Sequence, residues 1–286
     1  MSFSPKVHLL DKILQTADKL PPYPKVMNKV MPLIRSLAPV GEIEAVIKLD
    51  QVIAAKVLAM SQSARFARRG VIHSLRDAIL SVGSTQLMQI ILAACSKTYF
   101  EGDASGYDLR QGEMWEHAVA TAFMAERVAL RIGFGDVQAV YTAGLLHDIG
   151  KMVLNSYVKD VFDLILKLAR EEKLRFLEAE RRVLGIDHEE LGARVAEKWN
   201  FPPSVVAAIC YHHRPQEAGE YRNIASIVYV ANRMISALGI GCGVDGFLQP
   251  NQDEVFVELK ITSQMVEQFL VGLMEDLDET RQLLAD

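Results

Sequence analysis

Several residue types and patterns are scarce in this chain, and each scarcity excludes something. Aromatic residues make up only 7%, and the three cysteines, Cys95, Cys210 and Cys242, are scattered with no CxxC spacing. That rules out a zinc-ribbon pattern and leaves no evident disulfide framework, so a reducing cytoplasm is the simpler expectation. The first residues, Met1 to Lys6, lack the charged segment and apolar core of a secretory signal. No charge-free apolar run reaches about 18 residues, so no membrane span is expected. A formal charge of −5 withholds the broad basic surface on which nucleic-acid binding depends. The local cations Arg65, Arg68 and Arg69 read as solvated decoration.

What is present is an aliphatic chain with helical spacing. Half of the 286 residues are hydrophobic, with Ala, Leu, Val and Ile dominant, which fits a well-packed helical protein. Apolar residues recur three and four apart over 43–60 and 75–94. Gly83-Ser84 reads as a break in the second of these stretches. Further helices are expected over 6–19, 25–37, 113–131, 136–147, 158–172, 174–184, 188–199, 203–212 and 222–238. A loop over 241–254 leads to a last amphipathic helix over 262–284. Pro21, Pro22 and Pro24 separate the first two helices, and Pro202-Pro203 ends one helix and opens the next. No alternating β pattern of useful length occurs, so the expected class is all-α. A compositional seam at 101–110 suggests a helical N-terminal subdomain over 1–105 and a helical core with a C-terminal helix over 106–286.

Five of the seven histidines fall in four short segments that also carry acids. These are Glu113-x-x-x-His117, His147-Asp148, Asp187-His188-Glu189 and His212-His213. Imidazole is the commonest protein metal ligand, and mixed His/carboxylate sets suit Fe, Mn, Zn and similar divalent ions. Glu113 and His117 share one face of a helix, although alone they read more simply as an exposed Glu beside a half-buried His. His147-Asp148 closes an apolar run, and an ionised Asp is seldom buried without a partner. Adjacent helical residues point about 100° apart, so the two converge only if the helix ends there, which Gly150 allows. A carboxylate in such a place can bridge two cations. His188, at a helix start, is disfavoured as a cation by the macrodipole. His212-His213 calls for neutral rings or a cation between them.

In chain order the pattern is His, His-Asp, His, His-His on helices. It resembles the HD superfamily of metal-dependent phosphohydrolases, with its HD-GYP and HDOD branches. The first half is similar to HDOD (HD-related output domain) in particular. Leu20-Pro21-Pro22-Tyr23-Pro24 resembles that family's opening. The segments 47–63, with Ala54-Ala55-Lys56-Val57-Leu58, and 72–83, with Asp77-Ala78-Ile79 and Val82-Gly83, resemble its next signatures. His188-Glu-Glu-Leu-Gly192-Ala193, Trp199-Asn-Phe-Pro202 and Ala208-Ile-Cys-Tyr-His212-His213 complete the likeness, which covers about residues 15–240.

The resemblance implies a mono- or binuclear centre held by His117, His147, Asp148, His188, His212 and His213, with Asp148 bridging. Glu113 would be an additional ligand of the HD-GYP kind, and Asn232 stands where the family's late Asp ligand is expected. Lys151 resembles the Lys that meets a substrate phosphate, which makes Asp148 and Lys151 the candidate catalytic pair. The implied cofactor is one or two divalent ions, Fe, Mn, Zn or Ni. The implied function is a bacterial, cytoplasmic signal-transduction protein with phosphohydrolase or phosphodiesterase chemistry on a phosphate-containing small molecule or nucleotide. Its alternative is an inactive output or scaffold module, with a structural metal or none, facing a protein partner in a signalling pathway. No nucleic-acid or membrane partner is expected. Two departures matter. The amide of Asn232 is a weaker, neutral ligand, and no Gly-Tyr-Pro segment follows His213, so the HD-GYP route to cyclic-di-GMP hydrolysis is not indicated.

Overall fold

The computed structural model describes residues 5–21, 24–61, 72–100, 102–243 and 253–284. Pro22, Tyr23, Gln62, Ser63, Arg65, Arg68 and Arg69, and most of the loop expected over 241–254, lie outside the described residues. Within them all regular elements are helical, apart from one isolated bridge between Ala104 and Leu109. The helices are α1 (Pro5–Lys19), α2 (Lys25–Arg35), α3 (Val40–Ile47), α4 (Gln51–Ser61) and α5 (Leu75–Phe100). Next come α6 (Glu113–Ile132), α7 (Val137–Leu146), α8 (Ile149–Glu171), α9 (Phe176–Leu184) and α10 (His188–Lys198). The series ends with α11 (Pro203–Cys210), α12 (Arg222–Ala237), α13 (Asp253–Glu258), α14 (Ser263–Leu270) and α15 (Leu273–Leu284).

Several expected helices are subdivided, each for a local reason. The stretch 43–60 is two helices, because the chain turns at Lys48-Leu49-Asp50 and Asp50 Oδ1 accepts the Ile53 N–H. The expected break at Gly83 is present as a kink inside α5, where the residue sits at φ 77°, a conformation that glycine tolerates best. The last helix is α14 and α15, parted at Gly272 with φ 80°. α8 starts at Ile149, directly after Asp148, nine residues before the expected start at 158. Its first turns are buried on nearly every side, which erases the amphipathic period on which the expectation relied. α5 is long and apolar enough to cross a membrane by length and composition, but Gly83 bends it and most of its residues are buried in the protein.

The chain divides into two compact units, residues 1–21 with 99–271 and residues 22–98 with 272–286. The chain passes between these units three times, at 21/22, 98/99 and 271/272. The physical reason lies at the termini: α1 packs on α8, α9 and α10, and α15 packs on α4. The smaller unit is built on three- and four-residue spacings: Met27, Val30 and Ile34 on α2, Ile43 and Ile47 on α3, and Ile53, Val57 and Met60 on α4, all buried. Leu273 and Leu277 of α15 belong to the same core.

In the larger unit α6 is the central rod, buried at every position from Met114 to Ala125 except Glu116 and packed on α7 and α12. α8 crosses α10 at contact distance. A Cβ on Gly150 would collide with the carbonyl oxygen of His188, so only glycine permits the crossing that brings residues 147–151 against residue 188. α1 is fastened to this unit by Lys198, whose Nζ donates to the carbonyls of Ala17, Asp18 and Leu20 at the end of that helix. Trp199 Nε1 donates to the Pro21 carbonyl, and its ring lies 4.9 Å from that of Tyr99.

Candidate metal centre

The residues singled out by spacing and by the family resemblance come from five places in the fold. His117 is on α6, His147 and Asp148 form the joint between α7 and α8, His188 opens α10, His212 and His213 follow α11, and Asn232 is on α12. The adjacent pair converges because α7 ends at Leu146 and α8 begins at Ile149, so the break falls on the ligands themselves. Gly150, expected to end the helix, lies inside α8 and serves the close crossing. Asp187 caps α10 by accepting the Glu190 N–H and is braced by Arg181, which fixes the start of the helix at His188.

All these side chains meet around the Asp148 carboxylate. Oδ2 lies 3.3 Å from His147 Nε2 and 4.0 Å from His117 Nε2. Oδ1 lies 3.6 Å from His212 Nε2 and 3.9 Å from His188 Nε2. His213 Nε2 is 3.1 Å from His188 Nε2, and Asn232 Oδ1 is 3.0 Å from His117 Nε2. Each carboxylate oxygen thus faces its own lobe of donors. One lobe has His117, His147 and Asn232, and the other has His188, His212 and His213.

The outer faces of the rings set the tautomers. Nδ1–H of His117 donates to the Ile240 carbonyl at 2.8 Å, that of His147 to Gly144 at 2.8 Å and that of His212 to Ile209 at 2.7 Å. A carbonyl only accepts, so each Nδ1 carries the proton and each Nε2 turns a lone pair inward. His147 Nε2, His212 Nε2 and Asp148 Oδ1 are fully buried with no hydrogen-bond partner. Unsatisfied buried acceptors are uncommon and call for an explanation, an ion among them. Beside His117, the Asn232 amide oxygen accepts from Ser236 Oγ at 3.2 Å. An inward lone pair next to that oxygen is repulsive unless a cation lies between them or the amide turns over.

Electrostatics favour the neutral, ligand-competent form at four of the five rings, whereas His188, expected from its helix-start position to be disfavoured as a cation, is shifted the other way by a buried acid. Burial pushes His117 down to about 4 and also lowers His147, His212 and, further, His213. Burial opposes the charge on Asp148, but His147 and Lys151 outweigh it and hold the carboxyl well below its usual range. Burial opposes the charge on His188 too, yet the Glu180 carboxylate wins and raises that ring to about 9. Lys151 Nζ donates to Asp148 Oδ2 at 2.7 Å and lies 5.5 Å from the centre of the Tyr107 ring.

Glu113 does not join the cluster. Its carboxylate accepts the Arg110 N–H at 2.7 Å in the turn that opens α6, and its side chain is about one-third exposed. The four-residue spacing puts it on the right face, but a donor nearer in the chain holds it outside.

Two acids of the surround were not assigned a role from the sequence. Glu180, fully buried on α9, accepts from the ring and main chain of His188 and from Tyr107. It falls on the stripe of Phe176, Leu177, Ala179 and Leu184, and a charge inside an apolar stripe was the available signal. Glu189 Oε1 accepts the His213 N–H at 2.6 Å, and its Oε2 accepts from Arg214 Nε at 2.9 Å. Burial raises this carboxyl to about 7 against the pull of Arg214.

A family model for the HDOD domain matches residues 20–215. An uncharacterised protein of Treponema pallidum (strain Nichols) is 24% identical over 230 residues, covering 78% of this chain but 44% of that protein. The chain therefore spans less than half the length of that relative. The crystal structure of an HDOD domain protein of unknown function from Geobacter sulfurreducens superposes with a TM-score of 0.73 at 25% identity, covering 98% of this chain and 96% of that one. A Shewanella amazonensis SB2B protein, provisionally named a phosphohydrolase, gives 0.73 at 22% identity, covering 95% and 97%. With the His/Asp order, the helical fold and the family match over most of its length, the chain belongs to the HDOD family.

Proposed function

We propose that this protein holds two divalent cations across Asp148 and acts as a metal-dependent phosphohydrolase or phosphodiesterase in signal transduction in the cytoplasm. Its substrate would be a phosphate-containing small molecule or nucleotide. The observation that carries this reading is the division of the Asp148 carboxylate, each oxygen of which faces two inward Nε2 atoms. The donors fit Fe, Mn, Zn or Ni: imidazoles, four of them held neutral by burial, and a carboxylate, in a dry setting where His147 Nε2, His212 Nε2 and Asp148 Oδ1 have no protein hydrogen-bond partner. Asp148 would bridge, with His117, His147 and Asn232 on one side and His188, His212 and His213 on the other. Bound divalent ions would supply a water acidic enough to ionise near neutral pH and offset charge on phosphate oxygens.

The protein's own part is orientation and charge. The three carbonyl-anchored rings keep their lone pairs aimed inward without a reorganisation cost. Lys151, paired with Asp148, would place its positive charge where it offsets charge on a phosphate oxygen. Elemental analysis of the protein as purified, together with a screen of nucleotides, cyclic dinucleotides and generic phosphoesters, tests the reading. Turnover that Asp148→Ala abolishes supports it, and absence of any bound metal would sink it.

A second reading is favoured by burial. His117, His147, Asp148, His188, His212, His213 and Lys151 are each at most 5% exposed. A centre so enclosed also suits an output module whose metal braces the fold and whose surface meets a protein partner. Metal content without turnover on any phosphoester in the screen would favour this reading.

A further inference from the structure

Among the described residues, the buried carboxylates of Glu180 and Glu189 stand against the centre without belonging to its ligand set, and of the two Glu180 accepts from a ligand ring, with the buried phenol of Tyr107 behind it. Glu180 is fully buried on an apolar helix face, a position kept only where donors satisfy the charge. It collects three donors. Tyr107 Oη donates to Oε1 at 2.6 Å, while the His188 main-chain N–H at 2.9 Å and ring Nδ1–H at 2.7 Å both donate to Oε2. That main-chain N–H opens α10 and has no partner within the helix. One oxygen therefore fixes both the backbone and the ring of His188.

Tyr107 is itself anchored. It closes a short 3₁₀ turn, Ser105–Tyr107, in which the Gly106 N–H donates to Asn155 Oδ1 at 2.8 Å. Asn155 Nδ2 donates back to the Asp103 carbonyl at 2.7 Å, and a Cβ on residue 106 would collide with the Asn155 carbonyl. The phenol ring packs on Phe176, at the start of the helix that carries Glu180, with centroids 6.0 Å apart. The rings of His117, His147 and His212 differ in kind, because their Nδ1 protons rest on neutral main-chain carbonyls.

We propose that Tyr107 and Glu180 form a clamp that positions His188 with its Nδ1 proton outward and its Nε2 inward, making the His188–His212–His213 lobe the tighter of the two cation sites. A carboxylate behind a ligating imidazole fixes its tautomer and makes it a stronger donor than a carbonyl does. The opposite lobe has only carbonyl-backed rings and the neutral amide of Asn232. The inference rests on the two-cation reading and adds an order to it: the clamped lobe fills first. Glu180 and Tyr107 are positioning residues, acting through His188.

The test titrates metal-free protein with Co²⁺ alone, following the cobalt absorption bands, for wild type, Glu180→Gln, Tyr107→Phe and His117→Ala. Two binding steps are expected in wild type. Glu180→Gln should weaken the first step by about 10–100-fold and leave the second near its place, with Tyr107→Phe giving a smaller loss of the same step. His117→Ala should remove the second step instead. Equal weakening of both steps in Glu180→Gln, or no change in either, would overturn the proposal, since a merely structural role has no reason to choose a lobe. Ring ¹⁵N–¹H spectra of the metal-free proteins add a readout that needs no cation. The wild type should show a hydrogen-bonded His188 Nδ1–H signal that Glu180→Gln removes, and its survival in that variant would also overturn the clamp. A wild type that takes up no cobalt, yet shows the Glu180-dependent ring signal, would refute the metal centre and its loading order while leaving the positioning of His188 intact.

Discussion

Lys151 Nζ and Asp148 Oδ2 are 2.7 Å apart, and both residues are almost wholly buried. The ammonium therefore lies against the same oxygen that faces His117 and His147. Removing one partner of a buried pair leaves the other uncompensated, at a cost of about 3–5 kcal/mol. Lys151→Met should lose stability of that order in chelator, and added Mn²⁺ should restore much of it by replacing the missing positive charge. Denaturant melts with EDTA and with Mn²⁺ check this, and a variant equally unstable in both would contradict it.

Because each oxygen of Asp148 faces a separate set of rings, its removal and the removal of one ring should differ in stoichiometry. Asp148→Ala should strip both ions, whereas His117→Ala should strip one. Metal-to-protein ratios after dialysis give the answer directly. One ion retained in Asp148→Ala would argue against a bridging role.

Asn232 faces His117 Nε2 at 3.0 Å through a neutral oxygen. Asn232→Asp adds a negative charge at that point without adding volume. The lobe of His117 and His147 should then hold its cation roughly tenfold tighter or more, as charged donors do over neutral ones. Without metal, the same variant should be less stable, because a new buried carboxylate lacks a cation. Calorimetric titration beside a melt in chelator distinguishes these two effects.

The metal-free protein should show a stability maximum near neutral pH. His117 has its pKa depressed from 6.5 to about 4, so the unfolded chain binds the proton first and stability falls as pH drops through that window. His147, His212 and His213 act in the same direction. His188 is raised to about 9, so its contribution is full below 6.5 and is lost as pH rises towards 9. Glu189, raised to about 7, contributes fully below its ordinary value and loses that contribution as pH rises to 7, which blunts the acid-side fall. Chemical denaturation in EDTA at acid, neutral and alkaline pH checks the dome. A curve that climbs steadily to pH 9 would be inconsistent with the His188–Glu180 pairing.

The ligand cluster was legible in the sequence because adjacent pairs such as His147-Asp148 and His212-His213 are costly to bury for no purpose. The helical class was legible because residues such as Ile53, Val57 and Met60 keep a helical spacing. Features that depend on contacts distant in sequence were not. Glu113 has the spacing of a ligand, and only the nearby Arg110 N–H shows why it turns away. Gly150 reads as a helix stop until α10 is seen crossing α8 above it. The place of α1 in the larger unit depends on Lys198, some 180 residues downstream of the carbonyls it caps. The early start of α8 was hidden because a helix buried all round has no polar face to mark its period.

His117 and Asn232 are 115 positions apart in the chain, yet their donor atoms meet at 3.0 Å. An ion bound between them would act as a cross-link, closing a very long loop as a disulfide does. By loop-closure entropy such a staple is worth on the order of 4–5 kcal/mol against the unfolded chain. The same histidines that would run a reaction would therefore also hold the chain ends of the site together. A copy that had lost all turnover would still unravel more easily without them.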